Sequence, residues 1–237
     1  MSEAYHLWEW ADKKQGPYVP ALVSPLEMKD NAVFVDLGCG SGYVNSYVSS
    51  HCAPAENIGI DYEAATIELA KKLNAGNGGV KWMCASAESI PLPTASVDYI
   101  VCRGVVPLAH VDTVFAEISR ILRPGGRVVF LLHSWTFYFK WLSTKSLKKD
   151  AIAVLHFLLG AWFNLTGHQV QLRWGSHVIG QTWQTEARVR KMLGRKGMSL
   201  YKVVSVPEFL VYAEKNGSPS KVRTSAMSSL ASEQVVH

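Results

Sequence analysis

The sequence predicts an α/β protein whose mostly parallel sheet is covered by helices on both faces. Three observations carry this expectation. Short apolar runs bounded by turn residues alternate with amphipathic stretches between Ala32 and Leu132. The first run ends in an acid and a glycine turn, Asp36-Leu-Gly-Cys-Gly-Ser-Gly42. A Pro and Gly stop, Arg123-Pro-Gly-Gly126, divides the last helical stretch from the next apolar run. Alternation of this kind places helical crossovers between parallel strands.

The first strand is expected over 32–37, where an apolar run meets turn residues. A helix can follow from Tyr43 to Ser50. Asn57-Ile-Gly-Ile-Asp61 reads as the second strand. The stretch 63–74 reads as a helix, with Ile67, Ala70 and Leu73 on one face and Gly76 beyond its end. Val80–Cys84 and Val97–Cys102 are the third and fourth strands. The helix over 111–122 carries Val114, Ile118, Ile121 and Leu122 inward, and Arg127–Leu132 is the fifth strand. Residues 134–182 break the alternation and are rich in Trp, Phe and Tyr. A helix over 184–194 points Val189, Met192 and Leu193 inward. Tyr201–Val206 and Phe209–Ala213, separated by Pro207, form a closing pair of strands.

The organisation expected is one domain over 1–215. Residues 1–30 form an N-terminal cap segment, 134–182 an insertion, and 216–237 a flexible Ser-rich tail. The chain has 237 residues, 48% hydrophobic, enough for a substantial core. Its net charge is +5, and the tail carries Lys215, Lys221 and Arg223 against Glu233. The remaining charge is ordinary for a domain of this size, and no RNA-binding signature accompanies it, so no nucleic-acid partner is expected. The four cysteines form no C-x-x-C pair and do not sit near the histidines at metal-ligand spacing, which argues for reduced thiols and against a metal site. With no basic-then-apolar leader and no apolar run long enough to span a bilayer, the expected location is cytoplasmic. Asn164-Leu-Thr166 matches a glycosylation pattern, which means little without a secretory leader.

Ligands of open parallel sheets bind beyond the C-terminal ends of the strands. Asp36 and the glycine turn, Asp61-Tyr62, Ala85-Ser-Ala-Glu88, Arg103-Gly104 and His133-Ser134 all fall there. The glycines allow close backbone approach and open a helix N-terminus toward a ligand. Position 43 is Tyr, so the G-x-G-x-x-G dinucleotide fingerprint is absent. An acid before a G-x-G-x-G turn suits a cationic nucleoside instead. Asp61 can accept from a ribose diol or cap the following helix.

The glycine motif resembles the first motif of the class I S-adenosylmethionine (SAM) methyltransferases. Ala85-Ser-Ala-Glu-Ser-Ile-Pro-Leu92 with Val97-Asp-Tyr-Ile-Val, and Glu117-Ile-Ser-Arg-Ile-Leu-Arg-Pro-Gly-Gly126, resemble further motifs of their ubiquinone-biosynthesis-like branch, in the same order from Val33 to Leu132. The resemblance implies a Rossmann-like, seven-stranded sheet with its last strand antiparallel and an aromatic-rich lid after the fifth strand. It implies SAM as cofactor, S-adenosylhomocysteine as product, and no metal. Asp36, Gly38, Cys39 and Gly40 would surround the methionine end. Asp61 would bind the ribose, Tyr62 would pack beside the adenine, and the Ala87 backbone would meet the adenine edge. Ser86 stands where the family usually has Asp, a weaker acceptor that Glu88 could supplement. Arg103 would present its backbone to the methionine moiety, with its side chain free to face the substrate.

Methyl transfer from a sulfonium is an in-line displacement in which positioning supplies much of the rate. A general base is needed only when the acceptor starts protonated. His133 is the first candidate, then His110; His168 and His177 are weaker, and Tyr18 and Tyr5 could cap the pocket. The aromatic insertion suits a lid over an apolar or aromatic small molecule. A satellite core, a homodimer interface, or a membrane contact through Lys140, Lys145, Lys148 and Lys149 are the other readings. The function expected is methylation of a small-molecule acceptor. A membrane lipid or quinone precursor is the alternative, and a non-catalytic partner subunit the rival of another class. The Asn/Asp-Pro-Pro-Tyr/Phe signature of many base methyltransferases is absent after the fourth strand, which reads Cys102-Arg-Gly-Val-Val-Pro107.

Overall fold

The computed structural model describes residues 3–13, 17–76, 79–139, 147–174, 177–179, 182–205 and 209–217. The chain opens with two helices, α1 (Glu3–Lys13) and α2 (Tyr18–Val23), neither of which the sequence pattern resolved. Then follow β1 (Val33–Leu37), α3 (Tyr43–His51), β2 (Glu56–Asp61), α4 (Ala64–Leu73), β3 (Val80–Cys84) and β4 (Val97–Arg103). Next come α5 (Val111–Ile121), β5 (Leu122–Leu132), α6 (Trp135–Phe139) and α7 (Leu147–Thr166). A small hairpin, β6 (Leu172–Trp174) with β7 (His177–Ile179), precedes α8 (Glu186–Arg195), β8 (Met198–Val204) and β9 (Phe209–Lys215).

Seven strands form one sheet in the order β3-β2-β1-β4-β5-β9-β8. The first five are parallel, β9 runs antiparallel to β5, and β8 runs antiparallel to β9. This is the seven-stranded Rossmann-like arrangement implied by the motifs. The order reverses beside β1, so β1 and β4 flank a crevice at their C-terminal ends, the place where such sheets bind ligands.

Strand alternation sorts the core into two layers. Val35, Leu37, Ile58, Ile60, Ile100, Cys102 and Phe130 face α5 and α8, where Val114, Phe115, Ile118, Val189 and Leu193 are buried. Phe34, Tyr99, Val101 and Val129 face the other way, onto Leu22 of α2 and Val44 and Val48 of α3. Helix α5 forms because Val111, Val114, Phe115, Ile118 and Ile121 fall on one face at helical spacing.

The structure shifts several element ends. β5 begins at Leu122, which pairs with Val97, whereas the next pair is Tyr99 with Arg127. The Pro124-Gly-Gly126 stop thus bulges out of a continuous strand, with Gly125 at φ 79°. β8 begins at Met198, directly after Gly197 (φ 71°) turns the chain out of α8. Asn216 and Gly217 follow β9, and the rest of the expected tail lies outside the described residues.

The insertion is docked rather than free. Phe163 of α7 is buried in the main core. Asn164 Nδ2 donates to the carbonyls of Gly160 (2.8 Å) and Trp183 (2.9 Å), and its Oδ1 accepts from the amide (3.0 Å) and hydroxyl (2.9 Å) of Thr185. The glycosylation pattern therefore falls on a half-buried, fully engaged side chain. Gln169 clamps the start of α5, accepting from the Val111 amide (2.9 Å) and donating to the Ala109 carbonyl (2.9 Å). The C-terminal half of the insertion is thus a satellite of the main core.

Candidate active site

Period-two alternation also sets the site. Asp36, Asp61 and Arg103 occupy the same parity as Phe34, Asn57 and Val101, so all three leave adjacent strands on the α3 side. In the register, Asp36 lies beside Gly59 of β2 and Val101 of β4.

The turn between β1 and α3 holds three glycines with left-handed backbone: Gly38 (φ 78°), Gly40 (φ 54°) and Gly42 (φ 77°). A Cβ on Gly38 would lie 2.2 Å from Val105 Cγ2, and one on Gly42 would lie 2.4 Å from the Trp82 ring. Conformation and space together demand glycine at both. The amides of Gly38 and Cys39 donate to the Ile60 carbonyl at 2.8 and 3.0 Å, tying the turn to β2.

Asp61 joins the turn to the next helix. Its Oδ2 accepts from the Gly40 amide at 3.1 Å, and its Oδ1 accepts from Glu63, the residue preceding α4, at 3.1 Å. Each carboxylate oxygen keeps a second lone pair for a ligand diol. Both readings of Asp61, a helix-start acceptor and a diol acceptor, are compatible with one geometry.

Asp36 is buried, and burial pushes its carboxyl up to about 7. Arg103 works against that shift, while Glu9 and Asp61 add to it. Cys39 beside it is also buried, and burial reinforced by Asp36 and Asp61 pushes its thiol well up, so it is a neutral packing group.

The sequence reading missed what covers this turn. Helix α1 brings His6 Nδ1 to 3.3 Å and Glu9 Oε2 to 3.7 Å from the place a Cβ of Gly40 would occupy. Glu9 Oε1 accepts from the Arg103 guanidinium at 2.5 Å, with the Glu9 side chain almost wholly buried. The same guanidinium lies over the Tyr43 ring, 5.0 Å from its centre. Burial opposes the charge on Arg103, but Tyr43, Glu9 and Tyr18 outweigh it and hold the guanidinium above its ordinary value. Arg103 therefore points under α1, not outward to a substrate. Tyr18 is close enough to bias both Arg103 and Tyr43, and Tyr5 donates to Glu9 at 3.4 Å. The signal in the sequence was the spacing of His6, Glu9 and Trp10, polar and aromatic residues one turn apart on a short helix.

On the expected adenine side, Tyr62 is three-quarters exposed and Ser86 is exposed. Ser86 Oγ accepts from the Glu88 amide at 3.1 Å. Ala87 is partly buried against the main core. Glu88 Oε1 accepts from the His110 amide at 2.8 Å, so this carboxylate is spent at the start of α5. His110 Nδ1 pairs with Thr113 Oγ1 at 2.9 Å, which makes His110 a part of the same helix start.

His133 follows β5. Its ring stacks on Phe137, centres 3.9 Å apart, and its carbonyl accepts from the Gln184 amide at 2.9 Å. Burial, with His156 of α7 nearby, pushes the imidazole down to about 4. It is uncharged at neutral pH, with one ring nitrogen protonated and the other free to accept. His168 is exposed just past α7, and the side chain of His177 lies outside the described residues.

The structure thus brings together, at the point of order reversal, an acid and a glycine turn at the end of β1 and a second acid on that turn's amide at the end of β2. Residues 35–130 match a family profile described as a methyltransferase domain. Over those residues the chain is similar to a methyltransferase domain. A malonyl-[acyl-carrier protein] O-methyltransferase of Marinomonas sp. is 30% identical to the chain over 111 residues, 46% of this chain and 41% of that protein. A mitochondrial 2-methoxy-6-polyprenyl-1,4-benzoquinol methylase of Drosophila melanogaster is 45% identical over 56 residues, 23% of this chain and 19% of that protein. The matches span less than half the length of these relatives. A structure described as a putative S-adenosylmethionine-dependent methyltransferase of Listeria monocytogenes superposes with a TM-score of 0.62 at 16% identity, covering 85% of this chain and 100% of that one. At that identity the likeness is one of fold. The matched residues run from β1 to β5, and α1, α2 and the insertion lie outside them. Among the described residues, no group of three or more His, Cys, Asp or Glu could hold a metal ion, and no helix is long and apolar enough to cross a membrane.

Proposed function

We propose that this chain is a SAM-dependent methyltransferase acting on a small acceptor with an apolar or aromatic body. The observation that carries the reading is Asp61. It accepts from the amide of Gly40, in a turn of left-handed glycines, and so stands at a nucleoside's diol beside backbone that a side chain would obstruct.

The residues present fit the cofactor. Gly38, Gly40 and Gly42 leave room for close approach, and the buried Asp36 is an acid set to meet a cation. His6 Nδ1, buried without a hydrogen-bond partner, is a polar group available at the methionine end. When bound, SAM supplies a methyl group activated by its sulfonium. Asp61 would take the ribose hydroxyls, the Ala87 backbone and Ser86 the adenine edge, with Tyr62 beside the ring. Ser86 acts here without help from Oε1 of Glu88. Arg103, Tyr43 and α1 would exclude water from the turn, which favours loss of charge at the reacting centre. His133, neutral and stacked on Phe137, would accept a proton only from an acidic acceptor, since burial makes its imidazole a weak base. Tyr18 would close the pocket from the N-terminal side.

The names of the quinone methylase and of the other relatives support an apolar or acyl-chain acceptor as a second reading. The single-domain extent over 1–215, a small-molecule rather than macromolecular partner and a cytoplasmic location belong to the same proposal. Calorimetric titration with SAM, S-adenosylhomocysteine and, as control, NAD tests it. Micromolar binding of the two sulfur nucleosides alone is the expected result. Failure of both would move the non-catalytic partner reading ahead.

A further inference from the structure

Beyond its charged first turn, helix α7 carries no charged side chain on any face, yet only half of it is covered. Ala153, His156, Gly160 and Phe163 face the protein, with Trp183 pressed against Gly160. On the opposite face, Val154, Leu158, Trp162 and Leu165 recur at helical spacing and are 46%, 58%, 52% and 82% exposed. A soluble helix normally turns charge to that face, and one that is apolar all round is normally buried. Here no Asp, Glu, Lys or Arg occurs from Ala151 to Leu172.

Charge chooses the occupant. Lys148 and Lys149 lie in the first turn of α7, where the helix dipole disfavours cations; Lys140 and Lys145 precede them in sequence, and Asp150 is the one acid among residues 140–150. Anionic headgroups would compensate these lysines. A second copy packed on the same stripe would not, because Asp150 alone stands against the four lysines of residues 140–150 and the stripe itself offers no acid. An apolar face that includes a Trp and is joined to a basic end is what lies in a bilayer interface. The location is also apt. α7 packs against α6, whose Trp135 is half exposed and starts two residues beyond His133. The buried face of the same helix carries His156 beside His133, so α7 lies between the end of β5 and the exposed stripe.

We propose that the exposed face of α7 docks this protein on an anionic bilayer surface, from which an apolar acceptor reaches the crevice. The second clause rests on the methyltransferase reading; the docking itself does not.

Vesicle flotation tests it, with phosphatidylcholine alone or mixed with phosphatidylglycerol. The wild type is expected to float with anionic vesicles, and at least ten-fold less with neutral ones or in high salt. A Leu158→Glu/Trp162→Glu variant should lose that binding ten-fold or more while keeping its circular dichroism spectrum and SAM affinity. Absence of flotation with anionic vesicles overturns the proposal. So does a wild-type dimer in sedimentation that the double variant dissociates without any change in flotation. SAM titration of the same samples separates the two readings. Flotation without SAM binding sinks the activity and leaves the docking. SAM binding without flotation sinks the docking alone.

Discussion

Glu9 of α1 and Arg103 at the end of β4 form a nearly buried ion pair at 2.5 Å, directly over the glycine turn. This contact fastens the first helix of the chain to the centre of the sheet. Removing one partner from such a pair strands the other charge, at a cost of about 3 kcal/mol. Glu9→Ala is expected to lose about that much stability in urea denaturation. A Glu9→Ala/Arg103→Met double variant should lose less than the sum of the two single changes, and additivity would show that the pair is uncoupled.

Asp36 titrates near 7 because it is buried. The folded protein therefore holds a proton that the unfolded chain releases near pH 4, so this group's contribution to stability falls as pH rises from about 4 to about 7. Asp36→Asn should be stabilising above pH 7, with the difference vanishing toward pH 4 in parallel melts. SAM carries positive charge, so its affinity should rise from pH 6 to pH 8 in the wild type and stay weak and flat in the variant.

Asp61→Ala removes the diol acceptor and the partner of the Gly40 amide. Charge-assisted hydrogen bonds are worth about 1.5–3 kcal/mol, so SAM affinity should fall by roughly ten- to a hundred-fold in calorimetry. An unchanged affinity would remove Asp61 from the site.

His133 stays neutral until about pH 4. The unfolded chain takes up a proton near pH 6.5, so the stability that depends on neutral His133 is lost as pH falls from about 6.5 toward 4. If this imidazole accepts the acceptor's proton, His133→Asn should lower turnover by about a hundred-fold or more at unchanged SAM affinity.

Gly42→Ala meets the Trp82 ring at 2.4 Å and must hold φ 77°. A non-glycine residue in that region costs about 1–3 kcal/mol, before the collision is counted, so a stability loss of at least that size is expected. Gly76→Ala, with open space around it, is the matched control.

The strands and the ends of the crevice were legible because they depend on local pattern. Apolar runs of strand length, the Asp36 and Asp61 acids at their ends, and glycines that tolerate φ near 54–78° are all written in neighbouring residues. Period two then carries Asp36, Asp61 and Arg103 to one face without any knowledge of tertiary contacts. The role of the Arg103 side chain was not legible. Its partner, Glu9, is 94 residues away. Nor was the engagement of Glu88 with the amide of His110, which stands 22 positions further along the chain.

The sequence by itself determined the parallel sheet, the glycine turn and the two acids, because hydrophobic periodicity and backbone conformation act over a few residues. Only the tertiary structure decided that α1 roofs the turn, that Asn164 and Gln169 pin the insertion, and that one apolar face of α7 stays open. Those outcomes depend on which surfaces meet after the chain has folded, and burial and pairing between distant residues leave no periodic mark in the sequence.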